Sequence, residues 1–177
     1  SSKERLKEMI DRLKERNKDL LRKAAEEIKR LEDEDREVNR RHHEEIERLK
    51  KELREKVRDK DTLKELEERV EKIDEDVKRN SKRVVETLRE LLKRLADHSK
   101  RVLEELDRLL EELKRVDDDR ALDEIIKEAK KLSDDNERLI RDVLRRARDL
   151  SRRNKETIRR TLEKLKREAE KVKEDAR

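Results

Sequence analysis

Apolar residues return along this chain every 18 positions. In the first third, Ile10, Ile28 and Ile46 are 18 apart, and so are Leu13, Leu31 and Leu49. The middle third repeats the spacing through Leu66, Val84 and Val102, and through Val70, Leu88 and Leu106. The last third does so through Ile126, Leu144 and Leu162, and through Ala129, Ala147 and Leu165. Eighteen residues make five turns of an ideal α-helix at 3.6 residues per turn, so each series stays on one helical face. A strict seven-residue repeat would impose a left-handed supercoil. The 18-residue period instead predicts helices that run nearly straight, each with one apolar stripe.

Composition removes the alternatives. The 177 residues include no Gly, Pro, Cys or aromatic residue, where average usage would supply roughly 12 Gly and 9 Pro. Without them the chain lacks the usual material for tight turns and positive-φ positions. A β-rich or α/β fold is therefore excluded. Charged residues reach 60%, a level found in disordered chains, but helically spaced Leu, Ile and Val among Glu, Lys and Arg mark long helices.

The same composition excludes several functions. No cysteine means no disulfide framework, thiolate metal site or Cys nucleophile. The net charge of +5 comes from 56 basic and 51 acidic residues that are interleaved along the chain. Nucleic-acid binding would call for a segregated basic face, often with stacking aromatics, so no nucleic acid is expected. No run is long and apolar enough for a transmembrane helix, and SSKERLKEMI has no apolar signal-peptide core. The expectation is a soluble protein without a targeting signal, made in the cytoplasm when expressed recombinantly.

Turns are expected where Asp clusters and the register slips, near 59–62 and 117–120. Asp starts helices well because its side chain accepts orphan backbone N–H groups. Thr62 with Glu65, and Ser1 with Glu4, have capping-box spacing. The acidic run EDEDRE at 32–37 is not a turn, since the 18-residue register passes through it. The chain is thus one all-α domain, a straight antiparallel up-down-up three-helix bundle with helices over about 2–58, 62–116 and 120–176. Each helix is about 56–58 residues, or roughly 85 Å, at 1.5 Å per residue. One stripe per helix suffices for a three-helix core, which favours a monomer, with a homo-oligomer or a helical partner as the alternative. Met9, Val85, Leu92, Leu103, Leu110 and Ile140 flank the stripes and are read as core shoulders; an assembly module would expose them.

Polar residues interrupt the stripes, and counting from the turns places them in two layers. A residue i of the first helix lies level with about 120 − i of the second and i + 117 of the third. Asn17 then meets His98, Ser99, Ser133 and Asn136. Asn39 and His42 meet Asn80, Ser81, Ser151, Asn154, Thr157 and Thr161, with Asp35 close by. Four of these pairs are themselves 18 apart: Asn80 and His98, Ser81 and Ser99, Ser133 and Ser151, Asn136 and Asn154. A lone buried amide or hydroxyl costs about 1–3 kcal/mol, whereas layers in which donors meet acceptors avoid much of that cost. Two buried hydrogen-bond networks of this kind would disfavour wrong registers and wrong helix pairings.

With its 18-residue stripes, matched polar layers and Glu/Lys/Arg/Asp filler, the whole chain resembles computationally designed three-helix bundles with buried hydrogen-bond networks. The resemblance implies a hyperstable scaffold without natural activity, cofactor or required partner. Such bundles often have Gly in their loops, and this chain departs from them there. A natural spectrin-like domain shares the topology but would carry aromatics and Gly.

Sharper chemistry is not expected. His42 and His43 are adjacent and diverge by about 100°, whereas a helical zinc pair is spaced i, i+4. His98 lies roughly 30 Å away along the axis. DDDRALDEIIKE lacks the Gly and ligand spacing of a calcium loop. Asp97, His98 and Ser99 are helix neighbours that diverge, so they make no triad. No metal, cofactor or catalytic residue is therefore assigned. A pH response through buried His42 and His98 is the alternative use of the same bundle, and His43 is read as a surface neighbour.

Overall fold

The computed structural model describes residues 2–175. It holds three helices: α1 (Ser2–Lys56), α2 (Lys60–Arg115) and α3 (Asp119–Asp175). All three pack against each other, as the stripes predict, in a three-helix bundle. Ser1, expected to pair with Glu4 in a capping box, lies outside the described residues, as does the expected helix end at 176.

Each connection is three residues long, and neither needs glycine. Among the described residues no φ is positive and no peptide bond is cis. At the first connection Val57 N–H still donates to Leu53 O at 2.8 Å, which carries the helical bonding past Lys56. Val57 then turns inward and is buried. Asp59 starts α2: its backbone carbonyl accepts Leu63 N–H at 3.0 Å and its carboxylate accepts the Thr62 hydroxyl at 2.6 Å. The bonds from Thr62 and from the Asp61 N–H hold this carboxyl below its ordinary range. Thr62 is thus the third residue of α2 and not its cap, because the Asp side chain reaches the orphan N–H groups first. Asp118 plays the same part for α3, accepting Leu122 N–H on its carbonyl and Arg120 N–H on its carboxylate at 3.4 Å. Arg54 and Lys56 close α1 and Lys114 and Arg115 close α2, where cations favour the negative helix end.

The contacts gather into two units. One joins α1 up to Lys29 to Arg89–Ala147; the other joins Arg30–Leu88 to α3 from Arg148. Each therefore takes a segment from all three helices, with α1 running antiparallel to α2 and parallel to α3. In the first unit Ile10, Val102, Leu106, Leu109, Leu113, Leu122, Ile125 and Ala129 form the apolar core. In the second, Ile46, Leu49, Leu53, Val57, Val70, Leu165 and Ala169 do so. Two of the repeat series are fully buried: Ile10, Ile28 and Ile46 all have 0% exposure, as do Val70, Leu88 and Leu106; the series Ile126, Leu144 and Leu162 is half-buried. Among the described residues no large apolar side chain is exposed. Of the shoulder positions, Ile140 is buried and the other five are half-buried.

Candidate functional site

Polar side chains interrupt the apolar stripes and are buried with them. In the first unit, the sequence periodicity that buries Ile10 and Ile28 also turns Asn17 inward, to 0% exposure. Its Nδ2 donates to Ser133 Oγ at 2.9 Å and to the Leu13 carbonyl at 2.6 Å. Its Oδ1 accepts from Asn136 Nδ2 at 2.7 Å. Asn136 Oδ1 in turn accepts from Ser99 Oγ at 3.2 Å and from His98 Nδ1 at 2.9 Å. A ring nitrogen facing a carbonyl oxygen must carry the proton, so this bond fixes the Nδ1–H tautomer of His98. The circuit takes in all three helices through Asn17, His98, Ser99, Ser133 and Asn136. None of these five has a buried side-chain atom left without a partner.

The second unit holds a layer that is less complete. Asn154 is its hub. Its Oδ1 accepts from Asn80 Nδ2 at 2.7 Å. Its Nδ2 donates to Asp35 Oδ1 and, at 3.4 Å, to Ser81 Oγ. Asp35 is 1% exposed. Burial pushes its carboxyl above the ordinary carboxylate value, against the Asn154 bond and the charges of Lys155 and Arg36. Among the described residues six buried side-chain atoms find no partner: Asp35 Oδ2, Asn39 Oδ1, both ring nitrogens of His42, Asp74 Oδ1 and Ser151 Oγ. All six belong to this unit. His42 is 2% exposed. Desolvation lowers its pKa, while the Asp74 charge acts to raise it and His43 to lower it.

Several side chains stand elsewhere than the sequence suggested. Asn39 is half-buried. Asn80 and Thr157 are exposed and Thr161 is half-buried. Asn80 still reaches Asn154, but the Thr161 hydroxyl donates at 2.7 Å to the Thr157 carbonyl of its own helix, and neither threonine bonds the layer. With Ile73, Asp76, Val77 and Ile158 these three residues line a surface groove of about 260 Å³. The cause is the 100° step between helix neighbours: Ser81 and Ile158 take the inward positions beside Asn80 and Thr157. His43 is more than a surface neighbour. Its Nδ1 bonds Asp74 Oδ2 at 2.9 Å, and Lys78 Nζ lies 3.3 Å from the same oxygen.

Sequence reasoning gave Asp35 no assigned part and missed Asp74. Both are helix-filler residue types, so composition hides them. Register could have found Asp35, which lies 18 residues after Asn17. Asp74 sits at stripe spacing from Val70 and Val77, and both of those are buried with it.

Among the described residues no group of three or more His, Cys, Asp or Glu side chains could hold a metal ion. No described helix is long and apolar enough to cross a membrane. No family model, no curated protein and no solved structure matches the chain.

Proposed function

We propose that the chain is a designed structural scaffold, a monomeric three-helix bundle without enzymatic activity, whose polar layers specify register and helix pairing. The observation that carries this reading is the first-unit circuit. Five polar side chains on three helices satisfy one another at a single level, an arrangement that a slip of one helix by a turn would break. Breaking it would leave buried donors and acceptors unpaired at about 1–3 kcal/mol each, so the layer selects one register among those the apolar stripes allow. The 18-residue repeat, the buried apolar series and the loops capped by Asp59 and Asp118 fit an idealised sequence in which local and global preferences agree.

The test is a variant in which the five residues are replaced together by Leu at 17, 98 and 136 and Ala at 99 and 133. Its stability should hold or rise, because a satisfied polar cluster and a well-packed apolar one differ little. Its uniqueness should fall, seen as extra or broadened amide resonances and as more than one spin-label distance between α1 and α3. A variant that keeps one sharp set of resonances and one distance would show that the layer does not choose the register. Sedimentation at the 21.7 kDa of one chain is the expected result for the monomer, and a multiple of it would overturn that part.

A further inference from the structure

Charge is interleaved along the chain as a whole, but not along α3 over 148–167. Those 20 residues hold nine basic side chains and three acidic ones. The rest of the chain holds 47 basic and 48 acidic side chains, so the net charge of +5 comes from this segment. Its inward positions are taken by Ser151, Asn154, Ile158 and Leu165, all buried, which leaves Arg and Lys on the outside.

The three acids are already engaged. Asp149 lies 3.4 Å from Arg152, Glu156 lies 3.3 Å from Arg160, and Glu163 lies 2.9 Å from Arg159. Lys155 and Lys166 lean onto α1, to Glu34 at 2.8 Å and Glu45 at 3.1 Å. Arg153, Lys164 and Arg167 are exposed and pair with no acid among the described residues. At about 100° per residue these three fall within roughly 40° of one another, on the side turned away from Lys155 and Lys166. There α2 joins α3 through Asn80 Nδ2, which donates to Asn154 Oδ1 at 2.7 Å. Asn80 sits in the run KRNSKR at 78–83, which has four basic residues and no acid. Arg83, one turn on, is also exposed and without an acid among the described residues. Thr157 lines the groove between the two helices with Asn80, exposed and with a hydroxyl that bonds nothing among the described residues. The bordering acids Asp76 and Glu168 are held by Arg79 at 3.1 Å and Arg69 at 2.8 Å.

We propose that this face of α2 and α3, wholly within the second unit, binds the phosphate backbone of duplex DNA. Guanidinium groups meet phosphate oxygens with a planar pair of donors, and the free Thr157 hydroxyl adds a neutral one. A straight segment of 20 residues is roughly 30 Å long, the length of about nine base pairs. A single strand is a poorer fit, because such sites stack bases on aromatic rings and the chain has none. A lipid surface is a poorer fit as well, because no large apolar side chain is exposed among the described residues to enter it. Backbone contacts carry no sequence information, so any duplex should serve. The register role of the polar layers is independent of this surface.

Fluorescence anisotropy with a labelled duplex of about 20 base pairs tests it. Two unrelated sequences should bind equally, and affinity should fall steeply from about 50 to 200 mM KCl. Replacing Arg83, Arg153, Lys164 and Arg167 together by Gln should weaken binding about 10-fold or more and flatten the salt dependence by about one unit of slope for each cation that meets a phosphate. Arg153→Gln alone should do so by about one unit. Replacing Lys93, Arg94, Lys100 and Arg101 by Gln removes as much exposed charge from the first unit and should weaken binding far less. Equal losses from the two fourfold variants would mean that net charge alone attracts DNA, and would overturn the proposal. So would no binding at about 50 mM KCl, or tighter binding to the single strand or to phosphatidylserine vesicles.

Discussion

Asn17 and Asn136 hold α1 to α3 through Asn136 Nδ2 and Asn17 Oδ1, 2.7 Å apart, and each amide serves a further helix segment or backbone group at the same level. Asn17 also donates to Ser133 and to the Leu13 carbonyl, and Asn136 also accepts from Ser99 and His98 on α2. The pair is therefore the joint at which the first-unit layer closes.

Removing one side of that joint should cost more than removing the whole layer. Asn17→Leu leaves Asn136 Nδ2 buried without its acceptor and Ser133 Oγ without its donor. The expected loss is about 1–3 kcal/mol for each group stranded, read as a lower urea midpoint at pH 7. Adding Asn136→Leu, Ser133→Ala, Ser99→Ala and His98→Leu should restore most of it, because no polar atom is then stranded. A single variant as stable as the parent would show that water satisfies the stranded groups.

His42 should make folding sensitive to mild acid. Burial holds its folded-state pKa below 6.5, so the unfolded chain binds the proton more readily. The stability that His42 allows is complete above pH 6.5, falls as the pH drops through 6.5 towards the folded value, and then levels. Asp35 works in the opposite sense: its carboxyl is raised above 3.8, so its cost is present above the folded value and is relieved as the pH falls through that value towards 3.8. His42→Leu with Asn39→Leu removes three unpartnered buried atoms. The double variant should gain about 1–3 kcal/mol at pH 7.5 and lose the slope just below 6.5. Denaturant midpoints taken every half unit from pH 7.5 to 5 would check both, and an unchanged slope would mean that another group reads the acid.

The stripes were legible in the sequence because the 18-residue period is a whole number of helical turns, so Ile10, Ile28 and Ile46 could be placed on one face by counting alone, whereas Ile126 and Leu144 stand one residue from the buried Ile125 and Val143. The level of the first layer was legible for the same reason, and the residues grouped there do bond. In the second layer, counting located the level but not the neighbour. Asn80 and Thr157 are each one residue from the inward position, held by Ser81 and Ile158, and a one-residue error is a 100° error on a helix. His43 stands at the edge of the surface as counting placed it, but counting could not show that it reaches Asp74 across the α1–α2 contact while His42, further inside, bonds nothing. Buried acids such as Asp35 and Asp74 were hidden among 51 acidic residues, most of them on the surface.

The start of α2 should depend on Asp59 and little on the Thr62–Glu65 pair. Asp59→Ala removes the acceptor for the Thr62 hydroxyl and the Asp61 N–H and should lower the thermal midpoint, whereas Asp59→Asn keeps an acceptor and should recover most of the loss. Because the carboxyl is held below its ordinary value of 3.8, its contribution is present above that pH and is lost as the pH falls through the lower folded value. The Ala variant should therefore differ from the parent at pH 7 and converge with it in strong acid. Glu65→Ala, with no cap to disturb, should leave the midpoint unchanged. A larger effect from Glu65 than from Asp59 would restore the capping box.

Core truncations should separate the fully buried series from the half-buried ones. Leu106 is 0% exposed, and packs with Ile10, Val102, Leu109 and Ile125 in the first-unit core. Leu106→Ala should cost about 2–5 kcal/mol, combining lost transfer energy with the cavity left behind. Leu110, on the shoulder, is half-buried and already meets solvent on one side, so Leu110→Ala removes less apolar area from cover and leaves a notch that water can fill. Its cost should lie well below that of Leu106→Ala in the same urea titration. Equal losses would mean that the shoulder is more deeply covered in solution than one chain provides. That would require a second chain against α2, and the sedimentation mass of the parent would have to rise with concentration.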